Sequence, residues 1–165
     1  MADPPLHVYL NDHLAGATAG TDLVKQAAEQ HEGTDIGEFF AALADGIVAD
    51  FNTLTVLIDR LGVAPSEGKA RIAGLGIMLT EPKFSGESVG SADFGAFITL
   101  ETLSIGVEGK LCMWKALKAI ETEVPELGDT DLDTLIVRAQ SQRDRIEAKR
   151  LEWAPRALSG TPVGA

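Results

Sequence analysis

Apolar residues recur along this chain at intervals of three, four and seven positions, and proline is confined to the joints between the segments that carry them. The pattern is clearest over residues 35–61, just before Gly62. The apolar positions there are Ile36, Phe40, Leu43, Ile47, Leu54, Ile58 and Leu61. This spacing places apolar side chains along one face of an α-helix. An amphipathic helix is therefore predicted over 35–61.

The same reading along the whole chain predicts four long helices, at 6–31, 35–61, 91–123 and 130–153. A short helix is expected at 66–79 and a flexible tail at 154–165. Gly33 ends the first helix, and Thr34 or Asp35 caps the second. No sustained two-residue alternation indicates a strand. The predicted fold is a single all-α domain over 1–165, an antiparallel four-helix bundle of two hairpins joined by a long crossover that includes the short extra helix.

Charge excludes some classes of partner. Fourteen basic and 25 acidic residues give a formal net charge of -11, which repels phosphate backbones and anionic lipid. Neither nucleic acid nor a membrane is therefore an expected partner.

The start of the chain lacks the pattern of a signal peptide, and no apolar run is long enough to span a bilayer, so a cytoplasmic location is predicted. The single cysteine, Cys112, excludes an internal disulfide and is expected in the core.

The third long helix is apolar on two sides. Phe94, Ile98, Ile105 and Cys112 form one side, and Leu100, Leu103, Val107 and Trp114 form the other. Such a helix is expected to be buried by neighbouring helices or by a second subunit, which predicts a homodimer. Glycines in helix interiors are expected to permit close helix approach, because each costs about 1 kcal/mol relative to alanine; they are Gly16, Gly20, Gly106 and Gly109.

Four polar residues are candidates for a buried site. Projection of the first helix places His13 beside the apolar stripe and turns Asp12 towards solvent. Asp50 falls inside the stripe of the second helix, within about one turn of His13 if the hairpin turns near Gly33. Glu101 and Glu108 lie near the Phe94 side of the third helix. A buried carboxylate needs a cation, a hydrogen-bond donor or a proton.

The layout of two hairpins, together with "YLNDHLAG" and "LSIGVEGK", resembles the ferritin-like superfamily and within it an uncharacterised bacterial branch. The resemblance covers residues 6–153. Ferritin-like di-iron proteins carry Glu-x-x-His on two helices. Here the residues three positions after Glu38, Glu101, Glu108 and Glu147 are Ala41, Ser104, Leu111 and Arg150. The sequence therefore does not predict a complete di-iron centre.

Two interpretations of the candidate residues stay open. His13, Asp50, Glu101 and Glu108 either form a buried hydrogen-bonded network that fixes helix register, or bind one Fe, Mn or Zn ion. The first interpretation predicts a non-catalytic bundle without a cofactor that acts through self-association or a protein partner. The second predicts a metal-binding protein. A third hypothesis is an apolar small molecule held between helices.

The fourth helix carries several basic residues among acids, namely Arg138, Arg143, Arg145, Lys149 and Arg150. They are predicted to form a solvated, ion-paired face or to contact an acidic partner. No catalytic residue is predicted: "GKARIAGLG" lacks the spacing of a phosphate-binding loop, and neither Cys112 nor the serines have a histidine at a telling position in the sequence.

Overall fold

A computed structural model of the chain describes residues 4–64 and 92–159. Four long helices account for most of them: α1 (Pro5–Gln30), α2 (Asp35–Arg60), α3 (Ala92–Ala119) and α4 (Leu132–Ser159). One turn of 3-10 helix, Pro125–Leu127, lies between α3 and α4, and no strand occurs within these ranges. The all-α class and the four-helix bundle are confirmed. The predicted short helix at 66–79 lies outside the described residues.

The turn between α1 and α2 follows the predicted signals. Gly33 has a φ of 77°, a backbone conformation that glycine adopts without steric cost. Thr34 caps α2, and its hydroxyl accepts a hydrogen bond from the Gly37 amide at 3.2 Å. Asp35 and Glu38 place negative charge on the first turn, where the helix dipole favours it. Local chemistry therefore sets the start of α2.

Two apolar clusters reveal the directions of the helices. The Trp114 cluster joins the beginnings of α1 and α4 to the ends of α2 and α3; it includes Leu10, Leu54, Leu57, Leu111, Trp114, Leu117, Leu132 and Leu135. The Trp153 cluster joins the opposite helix ends; it includes Val24, Phe40, Leu43, Phe97, Leu100, Ile146 and Trp153. The partners within each hairpin are therefore antiparallel, whereas α2 and α3 run parallel.

Helix α3 buries the side that carries Leu100, Leu103, Val107 and Trp114. On the opposite side, Ile105 is 58% exposed and Cys112 is exposed. The prediction of a buried Cys112 is therefore wrong. Because α3 is apolar nearly all round, periodicity does not distinguish its two sides, and packing against α1 and α4 makes the choice.

Three helix ends differ from the sequence prediction by two residues or more. Helix α3 ends at Ala119 rather than at 123, and turns follow it. Helix α4 begins two residues late and continues through Pro155 to Ser159, so residues 154–159 are not a tail. Proline inside a helix costs about 3 kcal/mol. Contacts on both sides of Pro155 offset this cost, because Trp153 is buried and Arg156 pairs with Asp93 at 3.2 Å.

The glycines that permit close approach are not the predicted ones. A Cβ at any of Gly16, Gly20, Gly106 and Gly109 would meet nothing within 4 Å in the described part of the chain. A Cβ at Gly37 would lie 2.0 Å from the carbonyl oxygen of His31, and one at Gly46 would lie 2.7 Å from Nε2 of Gln142. The tight contacts therefore occur at the α1 to α2 turn and between α2 and α4.

Of the four helices, α2 alone has the length and apolar composition of a membrane-spanning helix. Its most apolar 18-residue window has a mean hydropathy of 1.5, and 33% of that window is buried. The core helix of a soluble protein meets the same criteria, so this observation is weak evidence for a membrane. The cytoplasmic location stays a prediction.

Candidate functional site

The four candidate residues have separate surroundings. Asp50 is buried, with 2% of its surface exposed. Glu101 and Glu108 are exposed, and His13 is half-buried. Within residues 4–64 and 92–159, no three His, Cys, Asp or Glu side chains are placed to hold a metal ion.

His13 packs against an aromatic neighbour on its own helix. Its imidazole meets the ring of Tyr9 edge to face, with 4.5 Å between the ring centroids. Burial lowers the pKa of His13 below its usual 6.5, and the charge of Asp12 opposes this shift. The expected solvent exposure of Asp12 is confirmed. His13 is therefore favoured in its neutral form at pH 7.

Glu101 and Glu108 form ion pairs on the surface between α3 and α4. Glu101 lies 3.3 Å from Nη1 of Arg150, and Glu108 lies 3.3 Å from Nη1 of Arg143. Both carboxylates are about half exposed, so solvent screens each pair and each contributes little to stability. Their outward position follows from the side that α3 buries. The prediction of an ion-paired face is confirmed at Arg143 and Arg150.

Asp50 lies at the centre of a buried polar cluster formed with Lys110, Arg138 and Gln142, called the Asp50 cluster below. Oδ2 of Asp50 accepts hydrogen bonds from Nζ of Lys110 and from Nε2 of Gln142, the latter at 3.2 Å. Lys110 also donates to Oε1 of Gln142. Nη2 of Arg138 forms an ion pair with Oδ1. Three helices are thereby joined through one carboxylate.

The Arg138 contact is an ion pair rather than a well-directed hydrogen bond. Oδ1 of Asp50 and Nε of Arg138 both lack a hydrogen-bond partner in the described part of the protein. The side chain of Arg138 is 36% exposed, compared with 14% for Lys110. Arg138 therefore reaches from the cluster towards solvent, and Lys110 is the more deeply buried cation.

Gly46 makes room for Gln142. The 2.7 Å that would separate a Cβ at Gly46 from Nε2 of Gln142 is shorter than real contacts allow. Because Gln142 is only 4% exposed, its amide has little space into which to move. Gly46 is therefore needed for the hydrogen bond between α4 and Asp50.

Lys110 and Arg138 both pair with the carboxylate of Asp50. The Asp50 cluster therefore has a formal charge of +1. Burial lowers the pKa of Lys110; the charge and hydrogen bond of Asp50 oppose this shift, and the charge of Arg138 adds to it. A metal cation does not fit this donor set, because the ammonium and guanidinium groups already occupy the carboxylate oxygens. The arrangement suits a structural role that fixes the register of α2, α3 and α4. A metal at the four residues named from sequence stays a prediction.

The sequence pattern indicates two partners of Asp50 in this cluster, Gln142 and Lys110. Gln142 follows Leu135 and Ala139 at helical spacing and precedes Ile146, so it lies on the buried stripe of α4. Lys110 lies three residues after Val107 and four before Trp114, on the buried stripe of α3. A polar residue on an apolar stripe identifies a member of a buried network. Arg138 gave no such signal; it forms an ion pair, as predicted for that face, but its partner is the buried Asp50.

A second feature is a set of exposed apolar side chains on the outer face of α4. Val137 is 64% exposed, Leu151 is 56% exposed and Leu158 is 63% exposed. Leu151 follows Val137 by 14 positions and precedes Leu158 by seven. At the α-helical repeat, these three side chains lie within about 60° of one another around the helix axis. Ala148 and Pro155 are also exposed and lie between these side chains. These five residues are called the α4 outer face below.

No family model matches the chain, and neither a curated protein nor a solved structure matches it.

The lowered pKa of Lys110 predicts a pH dependence of stability. Between this pKa and 10.5, the unfolded chain binds more protons at this lysine than the folded chain does. The lysine therefore makes the free energy of unfolding rise with pH in that window. We expect wild type to gain stability relative to Lys110→Met as the pH rises towards 10.5, measured by urea unfolding. A constant difference between the two proteins would contradict the prediction.

Proposed function

We propose that the protein is a non-catalytic helical bundle that acts through self-association, with two copies packing through the α4 outer face. The exposure of Val137, Leu151 and Leu158 carries this proposal. Large apolar side chains repeated at seven-residue intervals are typical of a helix that packs against another helix. A second copy of this chain supplies the same face.

The charges beside this face favour an antiparallel pair of α4 helices. If the twofold axis passes near Ala148, residues whose numbers sum to about 296 face each other. Val137 then meets Leu158 of the partner subunit, and Arg145 lies beside the partner subunit's Glu152. Opposite charges at flanking positions select partner and orientation in paired helices. Asp144, which contacts Arg143 at 3.1 Å, places a polar residue in the apolar seam and disfavours other registers.

Sedimentation equilibrium over a range of concentrations tests the proposal. We expect wild type to be dimeric and Leu151→Glu to dissociate at least about tenfold more readily, because it places a charge in the seam. Val56→Glu is the matched control, since Val56 on α2 is also 56% exposed but lies outside the α4 outer face. A monomeric wild type at about millimolar concentration, or equal weakening by Val56→Glu, would overturn the proposal.

The orientation has its own test. Arg145→Glu should weaken the dimer, and the double variant Arg145→Glu with Glu152→Arg should restore it, because the exchanged charges attract again. Arg145 also lies 5.8 Å from the ring centroid of Phe39 within one chain. Loss of that contact is common to both variants, and the double variant also loses the ion pair of Glu152 with Lys149 at 2.8 Å. Contacts within one chain therefore do not predict restoration, whereas the contact between subunits does. Failure of the double variant to recover would contradict the antiparallel arrangement.

We further propose the ferritin-like form of the bundle, with a crossover between the hairpins. The support is that α2 ends in the Trp114 cluster, whereas α3 begins in the Trp153 cluster. A connection between opposite ends of a bundle is the arrangement found in ferritin-like folds. In this proposal, the Asp50 cluster serves as the polar centre of the bundle and supplies its own cations.

A further inference from the structure

Lys110 and Gln142 bring a primary amine and a carboxamide together inside the bundle. Nζ of Lys110 donates a hydrogen bond to Oε1 of Gln142, and the carbonyl carbon Cδ is one bond further on. The two residues are 32 positions apart, on α3 and α4. The side chain of Lys110 is 14% exposed, and Gln142 is 4% exposed. A nucleophile and an electrophile are therefore held in contact where little water competes.

Asp50 connects the amine of Lys110 to the amide nitrogen of Gln142. Its Oδ2 accepts a hydrogen bond from Nζ of Lys110 and another from Nε2 of Gln142, the latter at 3.2 Å. The other oxygen, Oδ1, forms the ion pair with Arg138, which holds the carboxylate in place. A positioned carboxylate can accept a proton from one group and deliver it to another. One oxygen of Asp50 is therefore placed to move a proton between the two nitrogens.

The surroundings of Lys110 favour its neutral amine. Burial lowers the pKa of Lys110, and the positive charge of Arg138 lowers it further, against the charge and hydrogen bond of Asp50. Desolvation and a neighbouring cation are two ways in which proteins convert a lysine into a nucleophile. The Asp50 cluster provides both.

We propose that Lys110 and Gln142 form an isopeptide bond between their side chains after the chain has folded. The neutral Nζ of Lys110 attacks Cδ of Gln142, and the Nζ–Cδ bond forms. Asp50 accepts a proton from Nζ and delivers it to Nε2, the Cδ–Nε2 bond breaks, and ammonia leaves. No group is oxidised or reduced, and no co-reactant is needed. The product is a secondary amide that joins α3 to α4.

Gln142, rather than Asp50, is the acceptor for two reasons. Attack on an ionised carboxylate must expel an oxygen leaving group, whereas attack on the amide expels ammonia once Nε2 has received a proton. Nε2 also lies against Gly46: a Cβ there would be 2.7 Å from it and would meet only Gln142 within 4 Å among the described residues. Because Gly46 is partly exposed and has no side chain, ammonia can leave on this side.

The bond lies within one chain, so it does not depend on the proposed dimer. It forms in the folded protein, because the three side chains come from three different helices. The charge effects of the Asp50 cluster therefore belong to the chain before the bond forms. Mass spectrometry identifies the unlinked chain in which those effects are measured.

Intact-mass spectrometry of the folded protein, at purification and during incubation at neutral pH, tests the proposal. We expect the mass to fall by that of one ammonia molecule. Trypsin should then release residues 84–115 and 139–143 as one joined fragment, uncut after Lys110. Lys110→Arg keeps the positive charge but lacks a primary amine, and Gln142→Met lacks the carbonyl, so neither should lose ammonia. Gln140→Met, also on α4 but outside the Asp50 cluster, should behave like wild type.

Two further controls separate the roles of geometry and of Asp50. A chain held in urea should lose no ammonia, because the three helices are not assembled. The double variant Asp50→Leu with Arg138→Met keeps the amine and the amide but removes the proton carrier, and should lose ammonia at least about tenfold more slowly. An equal rate in the double variant would overturn the proposal.

Other outcomes would also overturn the proposal. One is an unchanged mass of the folded wild-type protein. Another is loss of ammonia from Lys110→Arg, because the reaction would then occur elsewhere in the chain. A third is loss of water with Lys110 joined to residues 26–60, because Asp50 would then be the acceptor.

Discussion

Replacement of Asp50 by asparagine is expected to lower the free energy of unfolding by about 3 kcal/mol. The substitution keeps the size of the side chain but leaves Lys110 and Arg138 without their shared counterion. Breaking a buried ion pair from one side is strongly destabilising, because the remaining charge stays desolvated. The value lies at the lower end for such changes, since Arg138 is 36% exposed and recovers some hydration. Urea unfolding followed by circular dichroism measures the effect.

Two further variants show whether charge is the cause. Lys110→Met removes one of the two cations and leaves the Asp50 to Arg138 pair balanced, so we expect a smaller loss of about 1 to 2 kcal/mol, mainly from the unpaired Oε1 of Gln142. The triple variant Asp50→Leu, Lys110→Met and Arg138→Met removes every formal charge of the Asp50 cluster and should recover much of the stability lost in Asp50→Asn. If Asp50→Asn and Lys110→Met were equally destabilising, the carboxylate would not be the shared counterion.

Substitution of Gly37 by alanine is expected to destabilise the protein by about 3 kcal/mol or more. The new methyl group would lie 2.0 Å from the carbonyl oxygen of His31. That oxygen accepts hydrogen bonds from the amide of Thr34 at 3.2 Å and from its hydroxyl at 2.6 Å, so it is held in place. The α1 to α2 turn must therefore open and lose its helix cap. Thermal and urea unfolding measure the loss.

Gly106→Ala is the control for this variant. Gly106 is also in a helix, but a Cβ there meets nothing within 4 Å among the described residues. Alanine should therefore stabilise the protein by about 0.5 to 1 kcal/mol, through its higher helix propensity. If both alanine variants raised stability, the steric explanation for Gly37 would be wrong.

Local sequence signals predicted the helices because their physical causes act within a few residues. The start of α2 depends on Gly33, the Thr34 cap and the acidic first turn, all of which are adjacent in sequence. The same local rules failed at Pro155. There, helix continuation depends on the burial of Trp153 and on the Arg156 pair with Asp93, which is 63 positions away (156 minus 93).

The candidate site was predicted in part. Asp50 was placed on a buried stripe from its own helix, and the structure confirms that burial. Its partners were not predicted, because they come from α3 and α4 and their choice depends on helix rotation. Glu101 and Glu108 were selected on the assumption that the Phe94 side of α3 faces inward. The opposite side is buried, so these acids pair with Arg150 and Arg143 at the surface.

The amino-acid sequence alone determined the helical class, the four long helices and the burial of Asp50, since each depends on side-chain periodicity or on capping within one segment. Only the tertiary structure decided which side of α3 is buried and which cations neutralise Asp50. It also decided that a Cβ would clash with its neighbours at Gly37 and Gly46, rather than at Gly16 and Gly20. The physical reason is shared: a helix that is apolar nearly all round has several packing solutions of similar burial, and steric and electrostatic fit among all four helices selects one.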